Sequence, residues 1–307
     1  MSTQKCRFCE DNAIYSREYE GVSFCGKCYR SAIEEKVRRT IMRHEMLSYN
    51  DHVAVAVSGG KDSLTLLNIL SKLERRYPRS RITAISVDEG IEGYRDEALR
   101  LAAMDCKRLG VEHVVVSYKN LFNTTIDEMA KLGLGKTPCS YCGVLRRKAI
   151  NKAAVNIGAT KIATAHNLDD EVQTVLLNML HGDPLRITRS GPILHDVQGR
   201  FLTRIKPLCD IPEKEVVLYA YLTGVEFQSI ACPHGSEALR NDIRDFLNQL
   251  EQKHPGAKFT LLRSAETLRE RLANAGAYSQ LNECEKCGDP TPHKYCEACL
   301  MLEAITA

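Results

Sequence analysis

The run Ser58-Gly-Gly-Lys-Asp-Ser63 is the segment of the sequence best suited to chemistry. It lies between an apolar run and a helical pattern, which predicts a strand, a tight turn and a helix. Paired glycines let backbone N–H groups approach an anion, the helix N-terminus adds partial positive charge, and Lys61 adds a full charge. Val55 stands where a Walker A loop has glycine, and the dinucleotide spacing G-x-G-x-x-G is absent. The run therefore predicts a phosphate-binding loop of another type; the simpler alternative is a turn capped by Asp62.

Ten of the 13 cysteines fall in five C-x-x-C pairs. Two pairs lie a short loop apart at each end of the chain, which is the spacing of a closed four-thiolate zinc site. Redox dithiols are the weaker alternative, because they would not need four cysteines twice over. The predicted zinc ligands are Cys6, Cys9, Cys25 and Cys28 at one end and Cys284, Cys287, Cys296 and Cys299 at the other. Such ions would stabilise segments too small for cores of their own.

A third set of cysteines has no fourth partner of similar spacing: Cys139 and Cys142 form a pair, and Cys232 follows far downstream. Three thiolates can hold a four-iron cluster and leave one iron open to another ligand. Two alternatives remain, a persulfide and disulfide cycle between Cys139 and Cys232, and a third structural zinc completed by His234. The solitary Cys106 and Cys209 are predicted to be core residues.

Alternating apolar runs and helical patterns in the central region predict a parallel sheet with helices on both faces, an α/β architecture. The predicted strands are 52–57, 81–87, 112–117 and 160–165. The predicted helices are 32–47, 63–77, 94–109, 143–157, 169–180, 213–223 and 236–252. Residues 181–204 lack periodicity and predict a long surface loop. Ligands of such sheets bind beyond the carboxyl ends of the strands, which makes Ser58, Asp88 and His166 candidate site residues.

These patterns divide the chain into five predicted segments. They are a zinc module (1–31), a linker helix (32–50), a catalytic domain (51–235), a helical extension (236–281) and a second zinc module (282–307).

The net charge of +3 is too small to indicate a nucleic-acid partner, although basic residues are dense over 36–43 and 186–206. No apolar stretch reaches the roughly 20 residues of a membrane helix, and the start lacks the apolar core of a signal peptide. We therefore expect a cytoplasmic protein without a membrane segment.

The S-G-G-K-D-S run after a buried strand resembles the signature of the N-type ATP pyrophosphatases, which split ATP into AMP and pyrophosphate and usually activate a carbonyl oxygen by adenylation. Further motifs occur in a single order: the cysteine pairs at both ends, P-C-S-Y-C-G at 138–143, H-N-L-D-D at 166–170, I-K-P-L at 205–208 and Cys232-Pro233. Together they resemble the tRNA 2-thiouridine synthetases of the TtuA and NcsA group, over nearly the whole chain.

This resemblance implies a Rossmann-like sheet of the adenine nucleotide alpha hydrolase type, a homodimer, and an oxygen-sensitive [4Fe–4S] cluster on Cys139, Cys142 and Cys232. The implied ATP-binding residues are Ala56, Val57, Ser58, Gly59, Gly60, Lys61, Asp62, Ser63, Val87, Arg146 and Ala165. Some relatives have lysine at Arg146 and glycine at Ala165. The implied catalytic acid is Asp170, whereas local context alone would make Asn167 or Asp169 a helix cap. Asp62 is expected to support Mg²⁺ or the phosphates, with Lys61 neutralising charge.

The expected reaction is ATP-dependent 2-thiolation of a tRNA uridine, with a ubiquitin-like sulfur carrier or free sulfide as the sulfur source. Residues 88–96 and 142–147 resemble the archaeal and eukaryotic wobble thiolases more than the T-loop enzymes. Thiolation in the T-loop is the nearest alternative. A ligase with an amine nucleophile would leave Cys139, Cys142 and Cys232 without a task. A non-enzymatic zinc-finger RNA-binding protein would leave the phosphate loop unexplained.

Overall fold

The N-terminal segment folds as a hairpin followed by a long helix. The computed structural model describes residues 4–133, 135, 137–183, 185–188, 190–195, 201–235, 238–274 and 282–306. β1 (Tyr15–Arg17) and β2 (Val22–Phe24) pair antiparallel and lead into α1 (Gly26–Arg43). The helix begins before the predicted residue 32 because the Cys25 side chain caps it by accepting a hydrogen bond from the Cys28 N–H. Ile33, Val37 and Ile41 form its buried face at a spacing of four.

The central region alternates strands with helices. Its strands are β3 (His52–Ala56), β4 (Arg81–Asp88), β5 (Glu112–Ser117), β6 (Lys161–Ala163), β7 (Ile193–Leu194) and β8 (Thr203–Ile205). Its helices are α2 (Lys61–Glu74), α3 (Arg95–Leu109), α4 (Tyr118–Phe122), α5 (Ile126–Leu132), α6 (Pro138–Asn156), α7 (Leu168–Leu180), α8 (Leu185–Thr188) and α9 (Glu213–Thr223). Within the described ranges the sheet order is β5-β4-β3-β6-β8-β7, and every neighbouring pair except β7 with β8 is parallel. The predicted α/β architecture is confirmed.

Residues 181–204, predicted as one long loop, contain α8, β7 and the first two residues of β8, so this prediction is wrong. Elements of two to four residues are too short for an alternating or helical period to show in the sequence. β8 adds a parallel strand beside β6, and β7 closes that edge of the sheet. Residues 184, 189 and 196–200 of the predicted loop lie outside the described residues.

Helix α6 begins five residues before the predicted start at 143. Thr137 is its N-cap residue and Pro138 occupies its first position, where a missing N–H has no consequence. Cys139 and Cys142 therefore lie in the first turns of a helix rather than in a loop before it. This start gives both cysteines a fixed backbone.

The C-terminal part adds two helices and a small module. α10 (Ala238–Lys253) and α11 (Ala257–Asn274) pack on α7, with Ile243, Leu247 and Leu262 against Leu168 and Val172. No separate helix is predicted at 257–274, and residues 236 and 237 of the predicted helix lie outside the described part. β9 (Asn282–Glu283), β10 (Pro290–Thr291) and α12 (Glu297–Thr306) follow. None of the helices in the described ranges combines the length and the hydropathy needed to span a bilayer.

A buried carboxylate attaches the N-terminal hairpin to the central domain. Glu215 on α9 is fully buried, and the Arg17 guanidinium binds it with two bonds, Nε to Oε1 at 3.0 Å and Nη2 to Oε2 at 2.7 Å. The Tyr19 hydroxyl donates to the same Oε1 at 2.6 Å, and the Tyr29 hydroxyl donates to the Glu215 carbonyl at 2.8 Å. Bidentate pairs of this kind fix orientation as well as contact. The hairpin is therefore held on α9 by charge and geometry together.

We predict that Glu215→Gln lowers the free energy of unfolding by about 3–5 kcal/mol, because it removes the buried, bidentate counter-ion of Arg17 and leaves only the partly exposed Glu20. Urea denaturation followed by circular dichroism measures this loss. Glu20→Gln is the matched control, since Glu20 also pairs with Arg17 but is 41% exposed; its cost should stay below about 1 kcal/mol. Equal effects of the two substitutions would contradict the anchoring role of Glu215.

Candidate active site

The predicted phosphate loop joins β3 to α2 at the carboxyl edge of the sheet. The Ser63 hydroxyl lies 3.1 Å from both the Ser58 N–H and the Ser58 hydroxyl, and it donates to the Gly60 carbonyl at 2.9 Å. Gly60 is the N-cap residue of α2, without a side chain to cap the first turn. The N–H groups of that turn are therefore available to an anion.

Gly59 is required at its position for two reasons. Its φ of +85° lies in the region that side chains rarely adopt, and a Cβ there would collide with the backbone of Ala98 on α3. The neighbouring Gly60 has no such restriction, since a Cβ would meet only the Ser58 hydroxyl at an ordinary 3.5 Å. The loop thus lies directly against α3, and only glycine allows that approach.

Lys61 is held by two carboxylates. Its Nζ lies 2.9 Å from Asp62 Oδ2 and 2.8 Å from Glu213 Oε1 at the start of α9. Burial disfavours the ammonium form, but Asp62 and Glu213 outweigh it and raise the pKa of Lys61. The second oxygen of Asp62 accepts a bond from Asn167 Nδ2 at 3.2 Å. Asp62 therefore connects the loop to the start of α7.

The third set of cysteines comes together around the first turns of α6. Cys142 and Cys232 belong to one apolar cluster. The Cys139 thiol donates to the carbonyl of His234, two residues after Cys232, at 3.1 Å. Burial raises the pKa of Cys142, although Arg146, whose Nη2 donates to Cys142 Sγ at 3.0 Å, opposes this. Three thiols of this arrangement fit a four-iron cluster that keeps one iron open.

The third structural zinc is the alternative that the geometry favours least. His234 Nε2 lies 2.6 Å from Asp127 Oδ1, so that ring nitrogen already has a partner. Within the described ranges, Cys139, Cys142, Cys232 and His234 do not form a group whose ligand atoms all lie within 4.8 Å of one another. Ligands of one tetrahedral zinc would satisfy that limit, because Zn–S bonds of about 2.3 Å place the sulfurs about 3.8 Å apart.

One buried carboxylate, Glu89, links the phosphate loop to α6, the helix that carries Cys139 and Cys142. Glu89 Oε2 lies 2.9 Å from Arg95 Nε, and its Oε1 accepts from Arg146 Nε at 2.7 Å. Arg95 in turn donates to the carbonyls of Val87 and Ser58, both at 2.7 Å. Arg146 is the residue that contacts Cys142. The sequence shows Glu89 only as an acidic residue after β4, and no pattern in it indicates this role.

A cavity of about 710 Å³ opens between the loop, α6 and the start of α7. The ATP-site residues predicted from the resemblance that line it are Ala56, Ser58, Gly60, Asp62, Ser63, Arg146 and Ala165. Its described lining does not include Val57, Gly59, Lys61 or Val87; the Val57 and Val87 side chains are buried in the core. Of the other edge candidates, His166 lines the cavity, whereas Asp88 accepts a bond from the Gly90 N–H at 2.9 Å.

Asp170 combines a structural bond with a perturbed acidity. Asn167 is the N-cap of α7, and its backbone N–H donates back to Asp170 Oδ2 at 3.1 Å, which completes a capping box. Burial raises the pKa of Asp170 to about 6, and the charges of Asp62 and Glu213 act in the same direction. Asp169 is not a cap: it is buried, pairs with Lys258 of α11, and accepts a bond from the Glu213 N–H at 2.7 Å.

The two terminal sets of four cysteines have the geometry of zinc sites. In each set, the four sulfur atoms all lie within 4.8 Å of one another. Cys9 Sγ is 3.5 Å from Cys25 Sγ and 3.7 Å from Cys28 Sγ, and Cys287 Sγ is 3.6 Å from Cys296 Sγ. These separations match the edges of a tetrahedron around zinc and exceed the roughly 2.05 Å of a disulfide. Both sets could therefore hold Zn²⁺.

A parallel sheet with the run Ser58-Gly-Gly-Lys-Asp-Ser63 between a strand and a helix is the arrangement expected of the PP-loop class of ATP-binding proteins. A family model described as a PP-loop domain matches residues 30–251, more than half of the chain. tRNA 2-thiolation protein NcsA of Haloferax volcanii is 35% identical over 99% of this chain and 99% of its own. Cytoplasmic tRNA 2-thiolation protein 1 of Chlamydomonas reinhardtii is 38% identical over 99% of this chain and 86% of its own.

The solved structures agree with these relatives. The U34-tRNA thiolase NcsA from Methanococcus maripaludis, described with its [4Fe–4S] cluster, matches with a TM-score of 0.87 and 34% identity, over 99% of this chain and 97% of its own. The protein therefore belongs to the PP-loop family and, within it, to the tRNA 2-thiolation proteins that share its full length.

We predict that Glu89→Gln weakens binding of a non-hydrolysable ATP analogue several-fold, because Arg95 would lose the charge that holds it against the Ser58 carbonyl. Isothermal titration calorimetry measures this affinity. Asp51→Asn is the control, since Asp51 is also a buried carboxylate but pairs with Lys161 at the amino ends of β3 and β6, the edge of the sheet opposite the phosphate loop. It should destabilise the protein and leave the affinity for the analogue unchanged. The link between Glu89 and the loop would be refuted by a Glu89→Gln protein that binds the analogue as tightly as the wild type.

Proposed function

We propose that this protein is an ATP-dependent tRNA-uridine 2-sulfurtransferase that acts on the wobble uridine. The observation that carries this proposal is that one cavity is lined by the phosphate loop and by Arg146, whose guanidinium contacts the Cys142 sulfur. ATP activation and sulfur chemistry can thus reach one substrate atom. The relatives support tRNA as the substrate, and the name of the archaeal structure supports position U34.

The proposed reaction has two steps. The C2 oxygen of the uridine attacks the α-phosphorus of ATP, and pyrophosphate leaves with the electron pair of the broken P–O bond. A sulfur nucleophile then adds to C2, and AMP leaves with the C–O electron pair, so that sulfur replaces oxygen. The N–H groups of the first turn of α2 and Lys61 bind the departing pyrophosphate, with Asp62 as the ligand of Mg²⁺.

A [4Fe–4S] cluster on Cys139, Cys142 and Cys232 would supply an iron position that is open to sulfur. The contribution of the protein is positional: Arg146 orients Cys142 beside the ATP cavity, and the surrounding apolar cluster limits access of water. The two terminal cysteine sets are proposed to hold zinc. We further propose that a ubiquitin-like sulfur carrier or free sulfide donates the sulfur and that the protein acts as a homodimer. A cytoplasmic location is supported by relatives from several eukaryotes that are named cytoplasmic.

We predict that Cys232→Ala abolishes 2-thiouridine formation and lowers iron and acid-labile sulfide per chain, while the affinity for tRNA stays within about twofold of the wild type. Protein purified without oxygen is incubated with ATP, sulfide and unmodified tRNA, and the nucleosides are measured by mass spectrometry. Fragment mapping separates the wobble position from the T-loop. Cys106→Ala is the matched control, because Cys106 is a buried cysteine in the core.

Thiolation retained by Cys232→Ala would contradict the sulfur role of this residue. An iron-free wild type with full activity would favour the persulfide cycle. A wild type that consumes ATP without forming 2-thiouridine would favour a ligase with an amine nucleophile.

Asp170 is proposed to act as an acid, and its pKa of about 6 predicts how the rate depends on pH. An acid must be protonated to donate, so kcat/KM for thiolation should fall as the pH rises above about 6. Asp170→Asn, which keeps an oxygen for the capping box, should be slow and lack this fall. A wild-type rate that instead rises through pH 6 would show that the carboxylate form is needed.

The raised pKa of Asp170 also makes the free energy of unfolding depend on pH, and this dependence tests whether Asp170 is the group that titrates. Because its folded-state pKa lies above the ordinary value of 3.8, the folded protein binds more protons than the unfolded chain between pH 3.8 and about 6. The wild type should therefore lose stability relative to Asp170→Asn as the pH rises through this window.

A further inference from the structure

Arg147 of α6 and Arg204 of β8 lie side by side in the wall of the ATP cavity. Arg204 Nη2 donates to the Arg147 carbonyl at 3.3 Å. Both arginines also line a second cavity of about 390 Å³, which lies between α6, the β7–β8 pair and the C-terminal zinc module. The two guanidinium groups thus stand at the boundary of two cavities.

These two cations differ from their neighbours in having no carboxylate. Arg146 pairs with Glu89, and Lys206 pairs with Glu171 at 2.7 Å. Among the residues that the structure describes, no carboxylate forms an ion pair with Arg147 or Arg204. Burial and the charge of Arg147 lower the pKa of Arg204 to about 10. Two like charges held together in this way are stabilised when an anion binds between them.

The second cavity has the surface that an unstacked nucleotide needs. Its lining includes the apolar side chains of Val144 and Leu194, the ring of Phe201, and Pro290 and Pro292 of the C-terminal module. Bases of single-stranded RNA stack on such surfaces, while arginines hold the phosphates between them. A strand that passes from this cavity into the ATP cavity would run past both arginines.

We propose that Arg147 and Arg204 bind one phosphodiester of the tRNA strand next to the target uridine, and that the adjoining nucleotide occupies the second cavity. This inference rests on the proposed function and identifies where its substrate enters. The pair belongs to α6 and β8, whereas the phosphates of ATP have the first turn of α2 and Lys61. Arg147 follows Arg146 on α6, and Arg146 contacts the Cys142 sulfur. A phosphate bound at Arg147 would therefore hold its nucleotide beside the residue that reaches the sulfur.

The experiment uses the full-length protein with the variants Arg147→Gln, Arg204→Gln and the double substitution. Fluorescence anisotropy gives the Kd for an unmodified tRNA across a series of salt concentrations, and calorimetry gives the Kd for a non-hydrolysable ATP analogue. Each variant should bind tRNA about tenfold more weakly, as expected for lost hydrogen bonds between charged groups. The slope of log K against log salt should fall by about 0.7–0.9, the loss of one phosphate contact.

The ATP-analogue affinity should stay within about twofold. Arg81→Gln is the matched control and should change neither affinity, because Arg81 is exposed, pairs with Glu112 and lies at the amino end of β4. Arg147 is itself exposed, so its variant gives a result even if Arg204→Gln is unstable in thermal unfolding.

Unchanged tRNA affinity and salt slope in the folded variants would overturn the inference. Lost affinity for the ATP analogue with unchanged tRNA binding would also overturn it, since the pair would then belong to the ATP site. A wild type that binds tRNA with the expected dependence on these arginines but does not thiolate it would contradict the proposed function alone.

Discussion

The active site depends on one buried carboxylate that two arginines share. Glu89 is 2% exposed and holds Arg95 on one oxygen and Arg146 on the other. Arg95 fixes the carbonyl of Ser58 at the phosphate loop, and Arg146 contacts the sulfur of Cys142. Glu89 and Arg95 are both buried and need each other, because either charge alone in the interior would be strongly unfavourable, whereas Arg146 reaches Glu89 from a position that is 44% exposed. The loop that positions ATP and the helix that carries the cysteines are therefore fixed relative to each other.

Near the phosphate loop, the charged side chains pair with one another, and a bound ligand could take the place of these partners. Lys61 is bound to Asp62 and Glu213, and Asp170 stands close enough for both carboxylates to raise its pKa. Three carboxylates beside a phosphate site repel a triphosphate unless a cation lies between them, which is why a divalent ion fits here. Binding of ATP with Mg²⁺ would thus give Lys61 and Asp62 ligand partners in place of each other.

The sequence predicts those features whose cause is local. β3, β4 and β5 follow from their apolar runs, and the phosphate loop follows from two glycines and a lysine in a row. The two terminal cysteine sets follow from their spacing, whereas Cys232 comes next to Cys142 only through the fold. β7 and β8 escape prediction because they are too short to show a period. The role of Glu89 could not be predicted, because it depends on Arg95 and Arg146, which reach Glu89 from two different helices. A single acidic residue after a strand forms no recognisable sequence pattern.

The small terminal modules act on opposite sides of the same cavity. The N-terminal hairpin holds Glu215 on α9, and the first residue of that helix, Glu213, holds Lys61 of the phosphate loop. On the other side, Lys148 of α6 pairs with Asp289 and donates to Cys287 Sγ at 3.2 Å, so the C-terminal module holds the helix that carries Cys139 and Cys142. Both modules are small, and zinc bound to their four cysteines would give each one a fixed shape. Zinc in the two modules would therefore help to hold α9, which contacts the phosphate loop, and α6, which carries Cys139 and Cys142.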